Sequence, residues 1–254
     1  MTKTVLNSLI LLVSLIMFSC GKEDPQDENI TISHTTIDID FENTFRLDAT
    51  FIRDGYSPSD FIWETSNPAI AEVSNDGTVT GLRVGSTTVT VLTADRLFSA
   101  ECEVTVNPTN FLYREPLFNF GQNKTFIRTN ETRSFLGEDD LSLVFRGENP
   151  FIIGIAYLFP NTLYDMSYVF LNIQTEAELL NLIDFLFQRY ELLGDEEEFI
   201  FFGNEEVILG LTQDEDGFLV IYIQNEDSTG PDSRKDKLRK FNKLPKLNKM
   251  IHSK

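Results

Sequence analysis

Trp63-Glu64-Thr65-Ser66-Asn67-Pro68-Ala69-Ile70-Ala71-Glu72-Val73, then Asp76-Gly77-Thr78-Val79-Thr80-Gly81-Leu82, then Gly85-Ser86-Thr87-Thr88-Val89-Thr90-Val91, decides the fold of the first third of the chain. Val89 and Val91 oppose Thr88 and Thr90, the period-two signature of a half-buried strand. The pattern extends outward on both sides. Phe45, Leu47, Ala49 and Phe51 share a face against Thr44, Arg46, Asp48 and Thr50. Ile37, Ile39 and Phe41 alternate before them, and Cys102, Val104 and Val106 after them. Asp54-Gly55, Asn67-Pro68 and Asp76-Gly77 punctuate the runs as turns, with Gly81 and Gly85 alone between them. Many short strands between Ile30 and Asn107 predict a two-sheet β-sandwich. Trp63 reads as a plug in its core, and the Asp76-Gly77 pair as the positive-φ step of a hairpin.

These motifs, in this order, resemble the bacterial immunoglobulin-like group 2 module. The resemblance implies a β-sandwich of the kind found in surface stalks, adhesins and lipoproteins. It implies no catalytic residue and no cofactor.

The sequence before the sandwich carries an address. Lys3 is followed by an almost wholly apolar run from Val5 to Phe18. It is too short to span a bilayer comfortably and reads as a secretory signal core over residues 1–19. Met17-Phe18-Ser19-Cys20-Gly21 resembles the lipobox of bacterial lipoproteins, with Met17 standing where Leu is commoner. The resemblance implies cleavage before Cys20 and lipid on its thiol and new amino group. Several acyl chains at about 0.8 kcal/mol per buried CH₂ hold a soluble domain firmly on a membrane. Residues 20–29 then form a polar tether. Its Lys22-Glu23-Asp24 resembles the surface-export signal of some Gram-negative lipoproteins. The expected location is the outer membrane, lipid-anchored and facing outward, with the periplasmic leaflet as the alternative. With Cys20 acylated, Cys102 has no partner and reads as a small buried thiol in a strand.

The pattern changes after Pro108-Thr109-Asn110, which reads as a hinge. Residues 108–230 predict an α+β domain, an antiparallel sheet with a helix over one face. A first helix is expected from Gly121 to Leu136, stopped by Gly137. Strands are expected at Leu141–Phe145, Phe151–Phe159 and Tyr168–Ile173. Thr175-Glu176-Ala177-Glu178 is a capping box. It opens a long helix whose apolar face runs from Leu179 to Tyr190 and ends near Gly194. Strands follow at Phe199–Phe202, Glu206–Leu211 and Phe218–Gln224, the last two joined through Asp214-Glu215-Asp216-Gly217. The whole chain is thus mainly β with two domains. Tyr113-Arg114-Glu115-Pro116, Phe120-Gly121-Gln122-Asn123-Lys124 and Phe187-Gln188-Arg189-Tyr190 resemble an uncharacterised domain that follows this Ig-like module in Gram-negative surface lipoproteins. That resemblance implies no activity.

Charge narrows the partners. Forty Asp and Glu against 21 Lys and Arg give a net charge of −19, which argues against nucleic acid. His34 and His252 are the only histidines, and neither lies where a pocket would form. The hairpin acids fail the EF-hand register, which would put Thr212 first and Ile223 last. Glu138-Asp139-Asp140, Asp195-Glu196-Glu197-Glu198 and Glu226-Asp227 read as solvated loop faces. Ser233–Lys254 holds nine Lys and Arg and one acid. This tail over 231–254 folds back on the acidic body, or lies on anionic phosphate or lipid. The functional expectation is a lipid-anchored surface protein with a non-catalytic binding, adhesion or envelope-accessory role, its partner an extracellular glycan or protein. The alternatives are a glycan-active enzyme in the second domain and a periplasm-facing assembly subunit.

Overall fold

A computed structural model describes residues 29–51, 60–196, 199–214 and 217–225. The leader, Cys20, the tether up to residue 28, the Asp54-Gly55 turn, Glu226-Asp227 and the basic tail with His252 lie outside them.

The alternating N-terminal runs fold as read. Strands β1 (Ile30–Ile32), β2 (Thr36–Asp40), β3 (Thr44–Arg46), β4 (Ala49–Phe51), β5 (Phe61–Thr65), β6 (Ala71–Val73), β7 (Thr78–Gly81), β8 (Gly85–Thr93) and β9 (Ser99–Asn107) form the sandwich. One sheet has the order β2-β9-β8-β5 and the other β3-β7-β6, with β1 and β4 as a separate pair. β2 runs parallel to β9, with Thr36 opposite Glu103 and Asp40 opposite Asn107. The other pairings are antiparallel. The inward face carries Leu47, Val79, Val89, Cys102, Val104 and Val106, all buried. Trp63 is half-buried and packs against both apolar clusters of the sandwich. Gly77 has φ +82° and lies under the indole, where a Cβ would stand 2.8 Å from Cζ2 of Trp63 and 2.4 Å from the Leu47 carbonyl. Thr87 is buried and organises the neighbouring turn: its hydroxyl accepts from the Asn67 N–H at 2.9 Å and bonds Ser66 at 3.0 Å.

The second region is one antiparallel sheet of eight strands with two helices. Its elements are α1 (Lys124–Asn130), β10 (Phe135–Glu138), β11 (Ser142–Arg146), β12 (Ile152–Leu158), β13 (Met166–Leu171), α2 (Glu176–Phe187), β14 (Glu191–Glu196), β15 (Phe199–Gly203), β16 (Val207–Asp214) and β17 (Gly217–Gln224). The sheet order is β10-β11-β12-β13-β17-β16-β15-β14. Four strands precede α2 and four follow it, and β13 and β17 zip the two halves together. The fold is therefore mainly β, an Ig-like region followed by a sheet-rich region with one longer helix.

Two helix boundaries differ from the sequence reading. The first helix stops at Asn130, not Leu136. Asn123 caps its start by accepting from the Phe126 N–H at 2.9 Å. Glu131 is already extended, and its carboxylate bonds Arg133 and Tyr157. Phe135 and Leu136 then enter β10, with Phe135 opposite Phe145. The long helix opens at its capping box, with the Glu178 N–H on Thr175 Oγ1 at 3.2 Å and the Thr175 N–H on Glu178 Oε2 at 3.0 Å. It ends at Phe187, and Glu191–Glu196 forms an edge strand on β15 instead. Gly194, at φ +126°, sits at a register shift in that edge rather than at a helix end.

Candidate functional site

The sheet-rich region encloses a buried polar cluster between residues 111–123 and the sheet. Tyr113 enters first. Its ring packs 4.4 Å from that of Phe185 of α2, and its hydroxyl bonds Tyr222 of β17 at 2.5 Å. Glu115 follows two residues later. Its carboxylate accepts from the Tyr190 hydroxyl, has Tyr222 Oη at 3.5 Å and lies 3.6 Å from Arg189 Nε. Burial pushes the Glu115 carboxyl above its ordinary range, against the Tyr190 bond and the Arg189 charge, which pull it down. Burial, with Glu115 beside them, raises the Tyr113, Tyr190 and Tyr222 phenols. They therefore stay protonated and can act as donors.

The second half of the cluster is ionic. Arg133, with a side chain 2% exposed, donates from Nε to Glu148 Oε2 at 2.6 Å and from a terminal nitrogen to Glu131 Oε2 at 2.8 Å. It also donates to the Arg114 carbonyl. Tyr157 of β12 donates to Glu131 Oε2 at 2.5 Å and accepts from the Leu117 N–H at 3.0 Å. Burial works against the charge of Arg133, but Glu148 and Glu131 outweigh it and hold the guanidinium above its usual value. Burial likewise opposes ionisation of Glu148, and the bonds from Arg133 and the Arg114 N–H outweigh that too. Each acid here already faces a donor from the chain. The arrangement pins residues 111–123 to the sheet.

Gln188 makes a separate joint. It caps α2, is 2% exposed, and its Oε1 accepts from the Thr109 and Asn110 N–H groups at 2.9 and 3.1 Å. Its Nε2 donates to Thr109 Oγ1 and Asp184 Oδ2, both at 3.0 Å. Its backbone carbonyl accepts from Val84 of the sandwich at 2.7 Å. Asn67 of the sandwich donates to Glu205 at 3.1 Å. The segment read as a hinge is thus tied by a buried amide, because the backbone donors of Thr109 and Asn110 need partners once α2 covers them.

The residues singled out from sequence are scattered rather than convergent. Cys102 is fully buried, and burial with the Glu103 charge raises its thiol above the ordinary value. His34 is exposed and meets the Phe45 ring edge-on. Glu138 bonds Arg128 at 2.9 Å. Burial opposes ionisation of Asp139, but donors from Leu141 and Ser142 outweigh it and lower its carboxyl. These acids rim an open depression of about 750 Å³ with Lys124, Arg128 and Thr162. The turn of the Asp214–Gly217 hairpin, and Glu197 and Glu198 of the 195–198 acids, lie outside the described residues. Among the described residues no three His, Cys, Asp or Glu side chains group as metal ligands, and no helix is long and apolar enough to cross a membrane. Sequence reading missed Glu131, Arg133, Glu148 and Tyr157, which carry no local signal. Tyr113, Glu115, Gln188, Arg189 and Tyr190 had marked the second resemblance, and the structure gathers them at the cluster and the joint.

Comparison with known proteins bears on the sandwich. Residues 28–104 match the bacterial Ig-like domain (group 2). An alpha-L-arabinofuranosidase of Bifidobacterium longum subsp. longum is 36% identical over 69 residues, 27% of this chain and 6% of that protein. The shared stretch is confined to the Ig-like part, so the chain spans only a small fraction of that relative. Among solved structures, an intimin mutant of EHEC O157:H7 aligns at 19% identity over 32% of this chain and 48% of that one, with a TM-score of 0.26. The S-layer protein rSbsC(31-844) aligns at 14% identity over 78% and 21%, with a TM-score of 0.28.

Proposed function

We propose that this chain is a lipid-anchored surface protein with a non-catalytic binding, adhesion or envelope-accessory role. Cys20 carries the lipid, the Ig-like sandwich holds the second domain away from the membrane, and residues 108–230 present a surface to an extracellular glycan or protein. The observation that carries this reading is the group 2 Ig-like match at residues 28–104, which begins a few residues beyond the lipobox-like Cys20. The buried acids of the second region are consistent with it, since each is engaged by a donor of the chain itself.

Metabolic labelling with radioactive palmitate tests the anchor. Label is expected on the native protein and absent from Cys20→Ala. An unlabelled native protein retaining Met1 would refute the reading. Protease treatment of whole cells tests the leaflet: digestion supports outward exposure, and resistance of an intact cell's protein places it in the periplasm. The full chain can then be screened against glycans and extracellular matrix proteins.

A further inference from the structure

The eight-stranded sheet has two apolar faces, and the described layer covers one. α1, α2 and residues 111–123 pack on the first face. The opposite face is built by Tyr168 and Phe170 of β13, Phe201 of β15, and Leu219, Ile221 and Ile223 of β17, with the rest of its cluster also drawn from strands of this sheet. These six side chains are each 8% exposed or less. Neighbours on one sheet stand about 5 Å apart and point the same way, so they do not hide each other's tips; that takes a layer about 10 Å above. The two sandwich clusters share no residue with this face. The sandwich meets the body elsewhere, at Gln188 and Glu205. Thr212 lies on the same face opposite Leu219, is 3% exposed, and its hydroxyl has no partner among the described residues.

We propose that residues 226–254 return across this face, with Leu238, Phe241, Leu244 and Leu247 forming its covering layer. The chain exits in the right place. Asn225 is fixed by its N–H on the Glu206 carbonyl at 2.8 Å and its Nδ2 on the Asn204 carbonyl at 2.6 Å. It directly follows β17, whose side chains form the middle of the face. The length suffices. Thirteen residues from Asn225 to Leu238 reach at most about 45 Å, and six adjacent strands are about 24 Å across. The charge is complementary. Ser233–Lys254 carries a net +8, leaving −27 on the rest of the chain. The four apolar residues recur every third position and bring the required apolar stripe, and the intervening lysines stay at the acidic rim with their stems laid on the sheet.

The test places a photo-crosslinking p-benzoylphenylalanine at position 241 of the full chain, and separately at position 247 in case the first disturbs folding. Irradiation in solution is expected to give an adduct within one chain, mapped by peptide sequencing to β13, β16 or β17. An adduct of doubled mass would assign the face to a second copy and overturn the proposal. Adducts on the sandwich, or none from either probe, would also overturn it. In parallel, Phe241→Asp with Leu244→Asp is expected to raise the fluorescence of an apolar-surface dye several-fold, and unchanged fluorescence would count against the covering.

Discussion

The sandwich and the sheet-rich body solve the same problem, hiding one side of a β-sheet, in opposite ways. In the sandwich each strand keeps one face wet. β8 alternates through buried Thr87, Val89, Val91 and Thr93, and its core side chains are small and aliphatic. In the body all six residues of β13 are buried, and the packing is aromatic, with the Tyr164 ring in contact with both Tyr157 and Phe159. A sandwich closes by pairing two one-faced sheets. A sheet buried on both sides needs a layer over each face, and it must also neutralise whatever polar groups those layers trap. The body does so with Arg133 and the protonated phenols, whereas the sandwich uses buried hydroxyls such as Thr87.

The sharpest way to break this contrast is to remove its ionic centre. Arg133→Met strands Glu131 and Glu148 without their common partner. It is expected to cost about 3–5 kcal/mol, the range for unpairing a buried charge, read as a fall in the denaturant midpoint. Arg46→Met in the sandwich should leave the midpoint unchanged, because its partners Asp48 and Asp76 are exposed and such pairs contribute little. The next largest effect lies in the sandwich. Gly77→Ala forces a side chain into positive φ and against Leu47 and Trp63, for a loss of about 1–3 kcal/mol. Trp63 fluorescence would follow it.

Gln188→Ala probes the joint. Losing an amide that satisfies two backbone donors should cost about 1–3 kcal/mol. More tellingly, it should separate the unfolding transitions of sandwich and body in calorimetry. A single unchanged transition would mean that the two regions were coupled by other contacts. The smallest effect is expected from acid. The Glu148 and Asp139 carboxyls are held below their ordinary values, so their contribution is present above the unfolded pKa, near 4.5 and 3.8, and is lost as pH falls through the folded values. Glu115 runs the other way, since its raised carboxyl favours the protonated form and its contribution fades as pH rises. Glu148→Gln should therefore flatten the decline in stability below pH 5, measured by urea titration at a series of pH values.

The same contrast explains what was legible. Alternation is local, so the sandwich strands, the Asp76-Gly77 turn and the buried Cys102 could be read residue by residue. The capping box at Thr175 is equally local, and it opened α2 as read. The body's strands were visible as apolar runs, but a run buried on both faces does not say which side chains point where. Its first helix was read too long because Phe135 and Leu136 suit either element until β11 is there to pair with them. β14 was read as helix because the apolar pattern of α2 continues through Leu192 and Leu193. The polar cluster was out of reach for a different reason. Glu115 meets Tyr190 across 75 positions and Glu131 meets Tyr157 across 26, and no short window contains both partners.

The parallel pairing of β2 with β9 bears on how the sandwich would carry load. β2 is the second strand of the domain, just after the short β1 that pairs with β4, and β9 is its last. Once the three-residue β1 is drawn off β4, a pull on the two ends draws β2 and β9 past each other along their own axis. Their backbone bonds then resist together rather than opening one after another, as the ends of a hairpin would. In a pulling experiment a domain so wired should yield at higher force than one whose terminal strands are peeled from the edge.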